Sequence, residues 1–123
     1  MRYLLLIHTD STRFAKLSPE EQAQGMAAYA KFTADLKESG VFLAAERLRP
    51  AASTLRIRDG QTLTTDGPFT ETKECLAGFY LIEAAGLNDA IQIAAQIPPA
   101  RVGSIEVRPV RELTSTSGER RQL

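Results

Sequence analysis

The chain has 123 residues, 43% of them hydrophobic and 24% charged, and its 15 basic and 15 acidic residues leave no net charge. This size and composition predict one soluble globular domain, and the balanced charge argues against direct contact with nucleic acid. The apolar run at residues 4–7 is too short for a signal peptide or a membrane span, and the single Cys75 excludes an intramolecular disulfide. We therefore expect a cytoplasmic protein with no membrane association.

The first predicted element is a strand over residues 2–8. Apolar side chains alternate onto both of its faces, with His8 at its end, which favours a strand that is covered from both sides. Residues 9–17 are mainly polar and lack a clear apolar period, so they predict a loop.

A helix is predicted over residues 19–39. Ser18 can cap the free amide groups, Pro19 suits the first helical position, and Glu21 completes a capping box. Gly40 ends the helix, because glycine tolerates the left-handed conformation that closes one. Its buried face is predicted to consist of four residues at helical spacing: Met26, Tyr29, Thr33 and Leu36.

The middle of the chain predicts a strand over residues 41–48 and then a β-hairpin. The hairpin pairs residues 55–58 with residues 61–64, because Asp59 and Gly60 accept the positive φ angles that a tight turn demands.

The last third of the chain predicts a strand, a helix and a final strand, at residues 76–84, 89–97 and 104–108. Asn88 is expected to cap the helix, and the prolines at 98 and 99 to end it. Four of its residues are predicted to face inward: Ala90, Ile91, Ala94 and Ile97. Residues 114–123 are almost entirely polar and predict a flexible tail, which leaves residues 1–113 as the domain.

This order of elements predicts an α+β fold of the ferredoxin-like βαββαβ type with an extra β-hairpin. Two helices are expected on one face of an antiparallel sheet. Because the first strand is apolar on both faces, the other face also needs a cover. A second copy of the chain, packed sheet against sheet across a two-fold axis, would supply it.

Two segments carry a family resemblance. Residues 66–74, DGPFTETKE, and residues 76–83, LAGFYLIE, resemble the signature of the DGPF group of YCII-related proteins. The resemblance implies a dimeric α+β barrel and hence a homodimer. Better-studied relatives are discussed in terms of a His–Asp pair, with the histidine on the first helix. No histidine lies in the first predicted helix here, where the equivalent place is near Tyr29, and His8 stands where members of the group often carry tyrosine.

Two interpretations of residues 66–74 stay open. In a structural elbow, Asp66 would cap a turn and Gly67 would supply an unusual backbone angle. In the other interpretation the segment forms one wall of a polar pocket. Its charged side chains would then shift one another's proton affinity and provide a general acid or base: Asp66, Glu71, Lys73 and Glu74.

The only histidine, His8, is the side chain best suited to proton transfer near neutral pH. It either borders a pocket, with Asp10 or Asp66 as its orienting partner, or packs at the rim of the sheet. We predict His8 and Asp66 as catalytic residues. Five residues are predicted to bind a ligand: Tyr29, Arg47, Glu71, Lys73 and Tyr80. Cys75 is expected to be a buried, inert thiol, and the lack of metal and cofactor motifs predicts no metal and no cofactor.

Three functions fit these residues. The first is a cofactor-free lyase or isomerase that moves a proton on a small molecule in a barrel pocket. The second is a non-catalytic ligand-binding or regulatory module, since proteins of the DGPF group are often encoded beside extracytoplasmic-function sigma factors. The third is a dimeric scaffold in which the signature loop is purely structural.

Overall fold

The computed structural model describes residues 1–68, 73–98 and 103–111. These residues form strands and α-helices in the order β1 (Arg2–Thr9), α1 (Ser11–Ala15), α2 (Pro19–Glu38), β2 (Phe42–Arg47), β3 (Ser53–Arg58), β4 (Gln61–Asp66), β5 (Cys75–Glu83), α3 (Leu87–Ala94) and β6 (Ser104–Pro109). The tail predicted at residues 114–123 lies outside the described residues.

Four of the strands form one antiparallel sheet in the order β2-β5-β1-β6. β1 pairs with both β5 and β6, and β5 also pairs with β2. β1 and β2 therefore flank β5 and are joined through α2, which is the split βαβ arrangement of ferredoxin-like folds. The predicted α+β fold with an antiparallel sheet is confirmed, whereas the dimeric barrel stays a prediction.

The core lies between one face of this sheet and the helices α2 and α3. On the sheet, alternate residues of β1 and β5 point into it, and the helices supply the opposite layer. Its buried members are Tyr3, Leu5, Ile7, Phe32, Leu36, Tyr80, Ile82, Ala90, Ala94 and Ile97. We call this side of the sheet the helix-covered face.

The second face of the sheet carries a row of half-buried apolar side chains. Leu4 lies opposite Leu81, and Leu6 lies opposite Phe79, so the four side chains form one patch across β1 and β5. Glu106 on β6 is paired with Leu6 at its edge. We call this side the open face, because the helices of the core lie on the other side.

The first helix that the chain forms is α1, so the prediction of a loop over residues 9–17 is wrong. Asp10 starts this helix, since its Oδ1 accepts hydrogen bonds from the backbone N of Thr12 at 3.0 Å and from Thr12 Oγ1 at 2.6 Å. The backbone N of Arg13 also donates to the Asp10 carbonyl. A local cap of this kind stabilises a short helix without the apolar period that sequence patterns rely on.

The start and end of α2 agree with the prediction. Ser18 and Glu21 form a capping box, in which Glu21 N donates to Ser18 Oγ at 3.1 Å and Ser18 N donates to Glu21 Oε1 at 2.9 Å. Gly40 follows the helix with φ of +80°. The buried face differs: Phe32 is buried, whereas Met26, which we expected inside, is 45% exposed.

Helix α3 begins earlier than predicted. Its N-cap is Gly86, with no side-chain cap, so the predicted cap by Asn88 is wrong. The helix ends at Ala94, and Ile97 is buried just beyond it. Ile91 was predicted to face inward but is 47% exposed. Ile91 points outward because α3 packs against β6 through Ala90 and Ala94, which are the buried residues of the helix.

Strands β3 and β4 pair with each other in a separate two-stranded sheet. Asp59 and Gly60 connect them with φ of 53° and 75°, as a tight hairpin turn requires. Three apolar side chains of this hairpin are about half exposed or more: Leu55, Ile57 and Leu63. We call residues Ser53–Arg58 and Gln61–Asp66 the hairpin arm.

Candidate functional site

His8 lies where β1 ends, beside an irregularity in the sheet. Ile7 pairs with Gly78, but His8 pairs with Leu76, so β5 contains one extra residue at this point. Such bulges bend a strand and re-aim side chains near sheet edges. The His8 side chain is 30% exposed and follows Leu4 and Leu6 on the open face.

The partner of His8 is Glu106 on β6. His8 Nε2 lies 3.4 Å from Glu106 Oε1, and the other carboxylate oxygen, Oε2, lies 2.7 Å from Arg108 Nε. The antiparallel register brings these residues together, because His8 pairs with Ser104, two residues before Glu106. A carboxylate beside an imidazole can orient the ring and stabilise its protonated form, as acid–base catalysis requires.

Ser104 links this group to the end of the signature segment. Its Oγ donates a hydrogen bond of 2.8 Å to Glu74 Oε1. Glu74 therefore lies beside the end of β1, where His8 and Thr9 also lie. The last residue of the signature segment, Glu74, thus lies at the same end of the sheet as His8.

Asp10 does not orient His8, although it is close in sequence. Its carboxylate binds Thr12 instead, and the hydrogen bond from the Thr12 hydroxyl, followed by that from the Thr12 backbone, holds the pKa of Asp10 below its usual value. The positive charges of Lys73 and Arg13 lower this pKa further. Lys73, a predicted ligand-binding residue, therefore acts electrostatically on Asp10.

Asp66 lies at the base of the hairpin arm, in a different sheet from His8. It ends β4 opposite Ser53 and borders an open depression of about 550 Å³. Gly67, with φ of +107°, donates its N–H to the Ala52 carbonyl at 2.7 Å. This geometry is that of an elbow, and the described residues contain no ion pair between Asp66 and His8. Glu71 lies outside the described residues.

Tyr80, a third predicted ligand-binding residue, belongs to the core. It is 6% exposed, and its ring packs edge-on against Phe32 and Phe42 with centroids 5.1 and 6.5 Å apart. Its hydroxyl shares a hydrogen bond of 2.7 Å with Thr33 Oγ1 on α2. The Tyr80 hydroxyl, which we predicted to bind a ligand, is therefore held inside the protein by its hydrogen bond to α2.

Tyr29 and Arg47, the remaining predicted ligand-binding residues, lie close together beside α2. Arg47 Nη1 approaches Met26 Sδ at 3.1 Å, and Tyr29 follows Met26 by three residues on the helix. Burial, and to a smaller extent the neighbouring Tyr80, raises the pKa of Tyr29 to about 12, while Arg47 acts in the opposite direction. Tyr29 therefore keeps its proton through the neutral range.

The sequence analysis did not identify the roles of Glu106 and Thr33, and its prediction for Cys75 was wrong. Glu106 could have been found by placing β6 beside β1, as the ferredoxin-like order requires. Thr33 was predicted only as a buried residue, and no local pattern indicates its bond to Tyr80. Cys75 is exposed, so the prediction of a buried thiol is wrong. It lies at the first position of β5, before the buried part of the strand begins.

The described residues contain no group of three or more histidine, cysteine, aspartate or glutamate side chains that could hold a metal ion. None of the helices in the described part of the chain combines the length and apolar character that a membrane span needs.

Comparison with known proteins extends these observations. The profile of the YCII-related domain matches residues 1–114. An uncharacterised protein of Rhizobium meliloti (strain 1021) is 40% identical over 114 residues, which cover 89% of this chain and 92% of the relative. The match spans the sheet, the helices and the hairpin arm together. The chain therefore belongs to the YCII-related family.

Proposed function

We propose that the protein is a cofactor-free lyase or isomerase in which His8 moves a proton on a small molecule. The observation that carries the proposal is the 3.4 Å contact between His8 Nε2 and Glu106 Oε1 on the open face. An imidazole paired with a carboxylate is suited to take a proton near neutral pH, because the carboxylate stabilises the imidazolium that forms.

In this reaction, neutral His8 removes a proton from a carbon next to a carbonyl group of the substrate, and the electron pair moves into an enolate. The imidazolium then returns the proton to another carbon, in an isomerase, or to the leaving group, in a lyase. Glu106 keeps its charge throughout and acts on His8 as a positioning residue. Arg108 holds the second carboxylate oxygen at 2.7 Å and fixes the plane of the Glu106 carboxylate.

The pocket for such a substrate would form between two copies of the chain. Leu4, Leu6, Phe79 and Leu81 make the centre of the open face apolar, and the charged residues of the β6 edge border it. A two-fold dimer that packs these faces together would bury the apolar patches and enclose His8 in a barrel. Sedimentation velocity should then give a dimer, and Leu6→Glu should give a monomer.

Hydrogen exchange in heavy water tests the chemistry without knowledge of the substrate. A panel of small carbonyl compounds with acidic C–H bonds is incubated with the protein, and loss of each C–H signal is followed by NMR. We expect exchange with at least one compound, its loss in His8→Gln, and a reduction of about 10- to 100-fold in Glu106→Gln.

Glu38→Gln, which changes an exposed carboxylate on α2, serves as the matched control and should leave exchange unchanged. Exchange that continues at the same rate in His8→Gln, or the absence of exchange by the unmodified protein across the panel, contradicts the proposal.

The alternative is a non-catalytic regulatory module that binds a protein such as a sigma factor. The observation that favours it is the hairpin arm, where Leu55 and Ile57 lie on one face of β3 and are each 60% exposed. Exposed apolar side chains clustered in one element are typical of protein-binding surfaces. The test is co-purification with an extracytoplasmic-function sigma factor, with Leu55→Ser/Ile57→Ser as the variant that should lose the partner.

A further inference from the structure

A second group of polar side chains lies on the helix-covered face, apart from His8 and Glu106. Along α2, Met26, Tyr29 and Thr33 follow one another at spacings of three and four residues and so share one side of the helix. Met26 Sδ contacts Arg47 on β2, and Thr33 Oγ1 contacts Tyr80 on β5. Tyr29 is therefore placed between these two contacts.

Arg47 is a cation without a carboxylate partner in the described part of the chain. Its guanidinium lies 3.1 Å from Met26 Sδ, a weak acceptor that leaves the charge uncompensated. Glu46, its neighbour in sequence, pairs with Phe79 and so belongs to the open face. The fork of N–H groups on an arginine suits the paired oxygens of a carboxylate or a phosphate.

Tyr29 provides a second donor at the same place. Its side chain is half-buried against the core, and its hydroxyl has no hydrogen-bond partner within the described residues. Because the phenol keeps its proton, the hydroxyl can donate to an anion.

We infer that Arg47 and Tyr29 form a binding site for the carboxylate or phosphate group of a small molecule on the helix-covered face. Two donor groups, one of them cationic, lie along the same side of α2 beside the Met26 side chain, and within the described residues no carboxylate forms an ion pair with Arg47. The anion accepts the guanidinium fork and the phenol together, while the exposed Met26 side chain contacts the apolar part of the ligand. This site lies on the opposite side of the sheet from His8 and does not rest on the function proposed for that residue.

The two methionines of the chain make a direct measurement practical. In protein labelled with ¹³C on the methionine methyl groups, Met26 gives one of two signals and lies against Arg47. Benzoate and inorganic phosphate are titrated separately as probes. We expect a saturable shift of the Met26 signal with at least one probe, and a Met1 signal that stays in place.

Variants of the two proposed donors test whether they cause the shift of the Met26 signal. Arg47→Gln should weaken binding about tenfold or more, because it removes the charged donor. Tyr29→Phe, which removes only the hydroxyl, should weaken it about threefold or more. Arg58→Gln removes a positive charge from the hairpin arm, where Arg58 only donates to the Ile57 carbonyl, and should leave binding unchanged.

Saturable binding of benzoate alone supports a carboxylate ligand, and binding of phosphate alone supports a phosphate ligand. The inference is overturned if neither probe shifts the Met26 signal, or if Arg58→Gln weakens binding as much as Arg47→Gln does. Unchanged affinity in both Arg47→Gln and Tyr29→Phe also overturns it. Tyr29→Phe keeps the buried ring, so the measurement does not depend on whether Arg47→Gln remains fully folded.

Discussion

The two faces of the central sheet carry similar residues in different surroundings. On β1, Tyr3, Leu5 and Ile7 are at most 3% exposed, whereas Leu4 and Leu6 between them are only half-buried. Both sets are apolar, so the difference comes from the helices that pack on one side only. Apolar residues on both faces of a strand indicate that both faces are suited to burial. Each face is buried only where another helix, strand or chain packs on it.

The largest difference is expected when one leucine on each face of the sheet is shortened. Leu5→Ala should lower the free energy of unfolding by about 2–5 kcal/mol, because the side chain is fully enclosed and a cavity remains. Leu6→Ala should cost at most about half as much, since its side chain stays partly in water. Urea unfolding of both variants at low protein concentration measures the difference.

The same pair of variants becomes more informative when the protein concentration is raised. A cost of Leu6→Ala that grows with concentration would indicate that a second copy covers the open face. Equal costs for the two variants at low concentration would contradict the distinction between the faces.

Next in size is a substitution at Gly78, where the backbone of β2 lies close to β5. A Cβ at Gly78 would lie 2.8 Å from the Glu46 carbonyl oxygen and 3.4 Å from Arg47 Cα, so the backbone must move. Gly78→Ala should therefore destabilise the protein by about 1–3 kcal/mol in thermal or urea unfolding.

Gly25 on α2 is the matched control for this substitution, because a Cβ there meets nothing within 4 Å. Gly25→Ala should stabilise the helix by about 0.5–1 kcal/mol through higher helix propensity. Destabilisation by Gly25→Ala, or no effect of Gly78→Ala, would show that close strand packing does not set the cost.

A smaller loss of stability is expected when the N-terminal cap of α2 is removed. Ser18→Ala removes the side chain that accepts from Glu21 N, so it should cost about 1 kcal/mol. Urea unfolding gives the value, and Ser53→Ala on the exposed hairpin arm serves as the control. A loss of stability as large in Ser53→Ala would argue against a specific role of the cap.

The smallest expected effect concerns Tyr29, on the helix-covered face, and depends on pH. The pKa of Tyr29 is raised to about 12, so the folded protein keeps a proton that the unfolded chain loses near the ordinary value of 10. Its contribution to stability is therefore fully present below about pH 10 and is lost as pH rises toward 12. Ultraviolet titration should show one tyrosine ionising near pH 12, and that step should be absent in Tyr29→Phe. A titration in which Tyr29→Phe removes a step near pH 10 would contradict the prediction.

Much of the fold follows from local sequence signals. The capping box at Ser18 and Glu21 and the hairpin turn at Asp59 and Gly60 involve residues close in sequence, so their chemistry can be read directly. The short helix α1 was missed because its start depends on one side chain, Asp10, and not on an apolar period.

The buried faces of the helices were harder to predict. On α2 the apolar residues allow more than one stripe, and only contact with Tyr80 and the sheet selects Phe32 over Met26. On α3 the contact with β6 makes Ala90 and Ala94 the inward pair and leaves Ile91 half-exposed. Periodicity indicates that a helix has a buried side, but the neighbouring element sets its exact rotation.

In the candidate site, too, one part could be predicted from local sequence and the other could not. His8 was identified from its chemistry and its place at a strand end, yet its expected partners were close in sequence or in the signature segment. Glu106 comes from the last strand, and it reaches His8 only because β6 pairs with β1. The same tertiary arrangement separates Asp66 from His8 by placing it at the base of the hairpin arm.

Local signals in the sequence predicted the split βαβ order, the resemblance to the YCII-related family and the secondary structure apart from α1 and the start of α3, because these depend on periodicity, turn residues and a local signature. Which side chains meet depends on the tertiary structure. Long-range strand pairing joins His8 to Glu106, and the packing of α2 beside β2 brings Met26 against Arg47. Contacts between residues remote in the chain depend on how the elements pack, and no local pattern of residues encodes those distances.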